Sequence, residues 1–306
     1  MKRVVSVSLG SSSRDKSQEA EFFGEAFRIE RVGVDGSFEA YRRKLEELDG
    51  KVDAIGIGGL DVYLWANGRR YAFREALALV KHIHRTPWAD GSGLKNTLER
   101  ETVRRLQQSG AVDFRGRKVL MVAGVDRFGM AEALHEAGAD LAMGDLAFAI
   151  GLPIVIRKWS SFQALARMLL PVVVKMPFKL LYPTGEKQDA VTPKYGQWYR
   201  WADVIAGDFH LIRRFMPEDL VGKTILTNTT RKVDREDLIR RGVQTLITTT
   251  PSFGGESFGT NVMEGVLVAS AGKRPDEMTP DQYLEMLERL GWQPNVDRLS
   301  ASESGT

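Results

Sequence analysis

VLMVAGVDRFGMA, residues 119–131, is a run of five apolar residues that stops at Gly124, turns, and restarts as a helix-forming stretch at Phe128. This is the pattern of a strand feeding a glycine turn and then a helix. Glycines at such a turn let backbone N–H groups and the helix N-terminus come close to a pyrophosphate. Gly124 and Gly129 take the first and last glycine positions, while Asp126 stands where the middle one belongs, with Arg127 beside it to neutralise it. The candidate cofactor-binding residues here are therefore Gly124, Asp126, Arg127, Phe128, Gly129 and Met130. A second strand, 141–143, ends at Gly144-Asp145, and Asp145 lies 21 residues after Gly124. A carboxylate there would hold the adenosine ribose hydroxyls and repel the extra phosphate of NADP. NAD is the expected cofactor, with NADP as the alternative. The same residues also suit a plainer reading, in which the glycines only permit a tight turn and Asp145 is a loop carboxylate.

Outward from this motif, short apolar strands at 202–206, 224–227 and 245–249 continue the rhythm of a doubly wound sheet. Asp208 follows the first of them, where such a fold contacts its cofactor. Asn228 and Asn261 join it as candidates, because asparagine is a poor strand former and needs another reason to stand near strand ends. Upstream, the pattern predicts a strand at 4–9, a helix at 17–26, a strand at 27–34, a helix at 38–48 and a strand at 52–57, which together imply a parallel sheet. Helices are predicted at 71–84, stopped by Thr86-Pro87, and at 94–108. The expected fold is α/β: an N-terminal parallel-sheet domain (1–88), then a linking helix and a doubly wound Rossmann-type dinucleotide-binding domain (89–275). An apolar closing helix at 262–271 falls in that second domain, and a C-terminal helix at 280–290 and a polar tail at 300–306 make up the rest (276–306).

Three places in the first domain carry chemistry. Ser11, Ser12 and Ser13 follow the first strand, where ligands collect, and would donate hydrogen bonds to a carboxylate or phosphate with help from Arg14 and Lys16. Asp61 follows Gly58-Gly59 and would face the same cleft. Asp90, ahead of the linking helix, is a candidate proton acceptor for a substrate hydroxyl; equally, an Asp-Gly pair commonly caps a turn or a helix.

Composition narrows the field further. The 306 residues contain no cysteine, which excludes disulfides and thiolate chemistry, and carry a net charge of +3 from 43 basic and 40 acidic residues, which gives no global case for nucleic acid. The start has too short an apolar stretch for a signal peptide, so the cytoplasm is the expected compartment. The four histidines are scattered and no metal site is expected. One segment, 162–182, is strongly apolar yet broken by Pro171 and Pro177 and studded with Arg167, Lys175 and Lys179. Within it, 165–182 is a candidate for contact with a membrane surface. A second copy of the chain is a further candidate partner.

The layout resembles the shikimate and quinate dehydrogenases and their amino-acid-dehydrogenase-like relatives. That family's Asn-Thr-Asp-Gly segment is matched by Trp88-Ala89-Asp90-Gly91, and its serine-rich loop by Gly10-Ser11-Ser12-Ser13. The resemblance implies an NAD(P)-dependent oxidoreductase acting on a small hydroxylated acid, with Asp90 as the catalytic aspartate and Ser11 to Ser13 on the substrate carboxylate. The alternatives are a non-catalytic nucleotide-binding protein and a peripheral membrane protein that handles an apolar substrate.

Overall fold

A computed structural model describes residues 1–177, 191–250, 252–253, 256–257 and 259–299. The turn at Thr184 and Lys187, Phe258 and the 300–306 tail lie outside the described residues. The chain opens with β1 (Lys2–Ser8), β2 (Lys16–Phe22), β3 (Glu25–Gly33), α1 (Phe38–Leu48), β4 (Ala54–Gly58), β5 (Tyr63–Ala66), β6 (Arg69–Ala72), α2 (Arg74–Val80), β7 (Trp88–Ala89) and α3 (Ser92–Ser109). It continues with β8 (Lys118–Met121), α4 (Phe128–Glu136), β9 (Asp140–Met143), α5 (Trp159–Val173), α6 (Gly196–Trp201), β10 (Val204–Ala206), α7 (Phe209–Phe215), β11 (Thr224–Thr227), α8 (Lys232–Arg240) and β12 (Thr245–Thr248). The short strands β13 (Ser252–Phe253) and β14 (Glu256–Ser257) precede α9 (Thr260–Ala271), α10 (Pro280–Arg289) and β15 (Asn295–Arg298).

The molecule is α/β, with two sheets that are mainly parallel. One compact unit comprises residues 1–97, 170–182 and 258–292; the other comprises 98–169, 183–257 and 293–306. The first unit's sheet has the order β2-β3-β1-β4-β7, parallel except for the antiparallel edge strand β2. The second has the order β15-β12-β11-β10-β8-β9, parallel except for β15. In each, the chain steps from its first strand to one side and then returns to the other, to β4 beside β1 and to β10 beside β8. Such a reversal opens a crevice at the C-terminal ends of the strands, where α/β ligands bind. The second sheet thus starts in the 2-1-3-4-5 order, not the 3-2-1-4-5-6 order of a dinucleotide-binding domain.

Two expected helices are corrected. Residues 17–26 form the hairpin β2–β3 instead, with Phe23 and Gly24 at φ 55° and 76° making its two-residue turn and Phe22 packed edge-on to Phe27 at 5.6 Å. Glutamate, glutamine and alanine favour a helix there, but packing on β3 decides the outcome. The 71–84 helix shortens to α2, because Tyr71 and Ala72 end the hairpin β5–β6, which turns at Asn67-Gly68 with φ 52° and 68°. The helix α9 belongs to the first unit, where it packs on β1, β4 and β7. A Cβ on Gly265 would stand 3.0 Å from Val4, and the bare glycine lets that helix lie close to the sheet. No helix among the described residues is long and apolar enough to cross a membrane.

Candidate ligand-binding site

The first unit's crevice is built from the loops that leave β1, β3 and β4. Val34 N–H donates to Ser8 O at 2.9 Å, Gly36 N–H to Leu9 O at 2.7 Å and Leu9 N–H to Gly58 O at 3.2 Å, so three loops are laced together at the strand ends. Gly33 is pressed against the serine loop: a Cβ there would lie 2.5 Å from Ser11 O and 2.7 Å from Gly10 O. Ser11 caps the short turn 12–14, accepting from Ser13 N–H at 3.1 Å, and its hydroxyl lies 2.8 Å from that of Ser13. Ser12 N–H donates to Asp35 at 2.8 Å, a bond that holds the Asp35 carboxyl below its ordinary range.

Two guanidinium groups converge over Gly10. A Cβ on that residue would run into Arg14 Nη2 and meet Arg31 Nη2 at 3.1 Å, with Ser8 Oγ at 3.4 Å. Arg31 is anchored through its other amino group, Nη1, which donates to Ser11 O at 3.0 Å and to Asp15 at 3.1 Å. Asp15 also accepts Gly33 N–H at 2.6 Å. Burial, and next the charge of Arg14, push the pKa of Arg31 down. Among the described residues Arg14 has no carboxylate partner. Sequence reading marked Ser11, Ser12 and Ser13 and named Arg14 as their helper; it did not reach Arg31, which only the parallel pairing of β1 with β3 brings to the loop.

Farther along the same edge, Asp61 lies 3.8 Å from Lys95. Asp90 is committed to the backbone around it: one oxygen accepts from Val62 N–H at 2.9 Å and Tyr63 N–H at 2.7 Å, the other from Ser92 N–H at 3.0 Å and Ser92 Oγ at 2.7 Å. Those four donors fix the 60–63 loop to the start of α3. Asn261, expected beside a cofactor in the second domain, sits in the first unit and donates to Ser6 Oγ at 2.8 Å. Glu264, one turn along α9, is fully buried and accepts from Gly91 N–H at 2.7 Å, Leu94 N–H at 3.1 Å and Tyr283 OH at 2.7 Å. Burial, with the nearby Asp90, raises its pKa to about 7. Sequence reading missed it, since a glutamate in an apolar helix has no local signature.

In the second unit the expected pyrophosphate turn is filled by the protein itself. Asp145 turns inward and accepts Gly124 N–H at 3.1 Å and Val125 N–H at 2.8 Å, taking the amides that a phosphate would need. Burial raises its pKa to about 6. A Cβ on Gly124 would stand 3.0 Å from Phe162, so this glycine makes room for an aromatic ring. Phe128, Gly129 and Met130 are buried in α4. Arg127 is buried among Glu99, Asp126 at 3.2 Å and Asp208 at 2.6 Å. Burial opposes its charge, but these three carboxylates outweigh it and raise its pKa. Asp208 also caps α7 through His210 N–H at 2.9 Å, and Asn228 donates to it at 3.4 Å. Of the residues expected to hold NAD or NADP, Asp126, Arg127, Asp208 and Asn228 thus meet in one ion-paired cluster beyond β8 and β10, whereas Asn261 lies in the first unit. Among the described residues no cluster of His, Asp or Glu is placed to hold a metal ion.

No curated protein matches the chain's sequence. Solved structures resemble it loosely. A sugar ABC transport system substrate-binding protein from Bordetella parapertussis is 12% identical with a TM-score of 0.39, covering 99% of this chain and 91% of that one. A periplasmic solute-binding protein from Actinobacillus succinogenes with bound D-allose is 11% identical with a TM-score of 0.37, covering 97% and 98%. An L-tryptophan dehydrogenase from Nostoc punctiforme is 11% identical with a TM-score of 0.35, covering 87% and 67%. These neighbours are mainly sugar-binding proteins of transport systems, not shikimate or quinate dehydrogenases. The expected family resemblance is overturned, and the NAD(P)-dependent dehydrogenase reading, which rested on it, is withdrawn with it. Family profiles match both parts of the sequence, one described as Domain of unknown function (DUF8753) over residues 3–90 and one as Domain of unknown function (DUF8754) over residues 93–299, and by the extent of the second the chain belongs to the DUF8754 family.

Proposed function

We propose that this chain is a binding protein for a small anionic molecule, one bearing a carboxylate or a phosphate, which it holds at the C-terminal edge of the first unit's sheet. The observation that carries this reading is the convergence of Arg14 and Arg31 on Gly10. Two like charges held this close repel each other, and an anion between them would relieve that repulsion. Guanidinium groups suit the task because their fork of donors matches the oxygens of carboxylate and phosphate. The hydroxyls of Ser8, Ser11 and Ser13 lie in the same loop cluster and supply further donors. The crevice beside β1 and β4 is where the strand order reverses, the usual ligand position in such sheets. A thermal-shift panel tests it: phosphate monoesters and dicarboxylates should raise the melting temperature, by an amount that grows with the logarithm of ligand excess, and uncharged polyols should not. Stabilisation by the polyols alone would count against the anionic reading.

A further inference from the structure

The helix α5 hides one face and leaves the other bare. Phe162, Ala166 and Leu170, four residues apart, are buried, and Val174 continues the row past the helix end. On the opposite side Met168 is 68% exposed and Val172 61%, again four apart, with Met176 following at 36%. Ahead of the helix, Ile150, Leu152 and Ile154 are also exposed. A helix face turned to water ordinarily carries charges of both signs. Within residues 159–177, Arg167 and Lys175 supply the charge beside the apolar stripe, and neither has a carboxylate partner among the described residues. The whole stretch 146–177 holds four basic residues and not one aspartate or glutamate.

We infer that this face of α5 lies on an anionic lipid surface, with Met168 and Val172 entering the acyl boundary and Arg167 and Lys175 reaching the headgroup phosphates. An apolar row on a helix whose own charged residues are all basic is the arrangement that interfacial helices use. Charge selects the occupant: a second copy laid on the same face would set arginine and lysine against their own kind, whereas phosphatidylglycerol or phosphatidylserine offers the missing negative charge. The inference is independent of the anion site on the first unit's sheet.

Flotation of the full chain with vesicles tests it, comparing phosphatidylcholine alone with phosphatidylcholine mixed with phosphatidylglycerol. The protein should float only with the mixed vesicles. Arg167→Ala with Lys175→Ala should weaken that binding by about fivefold for each charge removed, and Met168→Ser with Val172→Ser by at least about tenfold. All four side chains are exposed, so both variants should keep the wild-type circular dichroism and melting temperature, which separates lost binding from lost folding. No flotation with the mixed vesicles, or undiminished flotation of the Met168→Ser, Val172→Ser variant, overturns the inference. So does a change of oligomeric state in that variant without any vesicle binding, which would give the face to a second copy.

Discussion

Gly33 shows how tightly the candidate site is drawn at single residues. A methyl group there would lie within 2.7 Å of two backbone carbonyl oxygens of the serine loop, and neither can swing aside as a side-chain tip can. Gly33→Ala should therefore cost about 1–3 kcal/mol, the range for forced overpacking. A melting curve equal to wild type would show that the loop is not held against β3. Asp90 answers to similar reasoning. Both its oxygens accept two donors, so Asp90→Asn turns an amide NH2 toward N–H groups and leaves them unsatisfied, a loss of about 1–3 kcal/mol by chemical denaturation. Unchanged stability would mean that these bonds hold little. The sequence placed Asp90 just ahead of the linking helix, where acid–base residues and caps both occur; only the fold shows what each oxygen accepts.

At the scale of elements, legibility followed the range of the interactions. The helix 38–48 and the strand 224–227 were read to the residue because amphipathic spacing and β-branched runs are local signals. The hairpin β2–β3 was not, since its Glu-rich strand favours a helix until β3 pairs with it. For β5–β6 the signal was present in Asn67-Gly68, a turn pair whose positive φ angles suit a two-residue hairpin. The glycine turn after β8 was legible as a turn but not in its use. Its arginine ties α3, β8 and β10 together through Glu99 and Asp208, both inside the second unit. Arg127→Ala removes the guanidinium paired with the buried Glu99 and should destabilise that unit by about 3–5 kcal/mol, with much of the loss recovered in Arg127→Met with Glu99→Gln. Equal losses in both variants would show that packing, not the ion pair, sets the cost.

For the whole molecule, two buried carboxyl groups fix an unusual pH dependence. Glu264 and Asp145 have pKa values raised to about 7 and about 6 from 4.5 and 3.8, so the native state binds their protons more tightly than the unfolded chain. Their contribution is complete below the unfolded values and fades as pH rises to about 7. Asp35, Asp49, Asp113, Asp234 and Asp237 are shifted down and act oppositely, losing their contribution as pH falls below 3.8. Stability should peak near pH 4–5, fall toward pH 7, and fall less steeply in Glu264→Gln. A melting temperature that rises across that window would refute the burial argument. The return of 258–292 to the first unit lay beyond sequence reading, because a helix's choice of sheet depends on shape, as where Gly265 meets Val4. The same long-range folding brings Arg31 from β3 to the loop that carries Arg14, and the anion site depends on that meeting. Calorimetric titration with inorganic phosphate tests it most directly, on the wild type, Arg14→Ala and the control Arg43→Ala, which removes an exposed arginine paired with Glu39. The predicted result is saturable binding in the wild type and the control, weakened at least about tenfold in Arg14→Ala, the scale of a hydrogen bond to a charged group. Equal phosphate affinity in all three proteins would contradict the assignment.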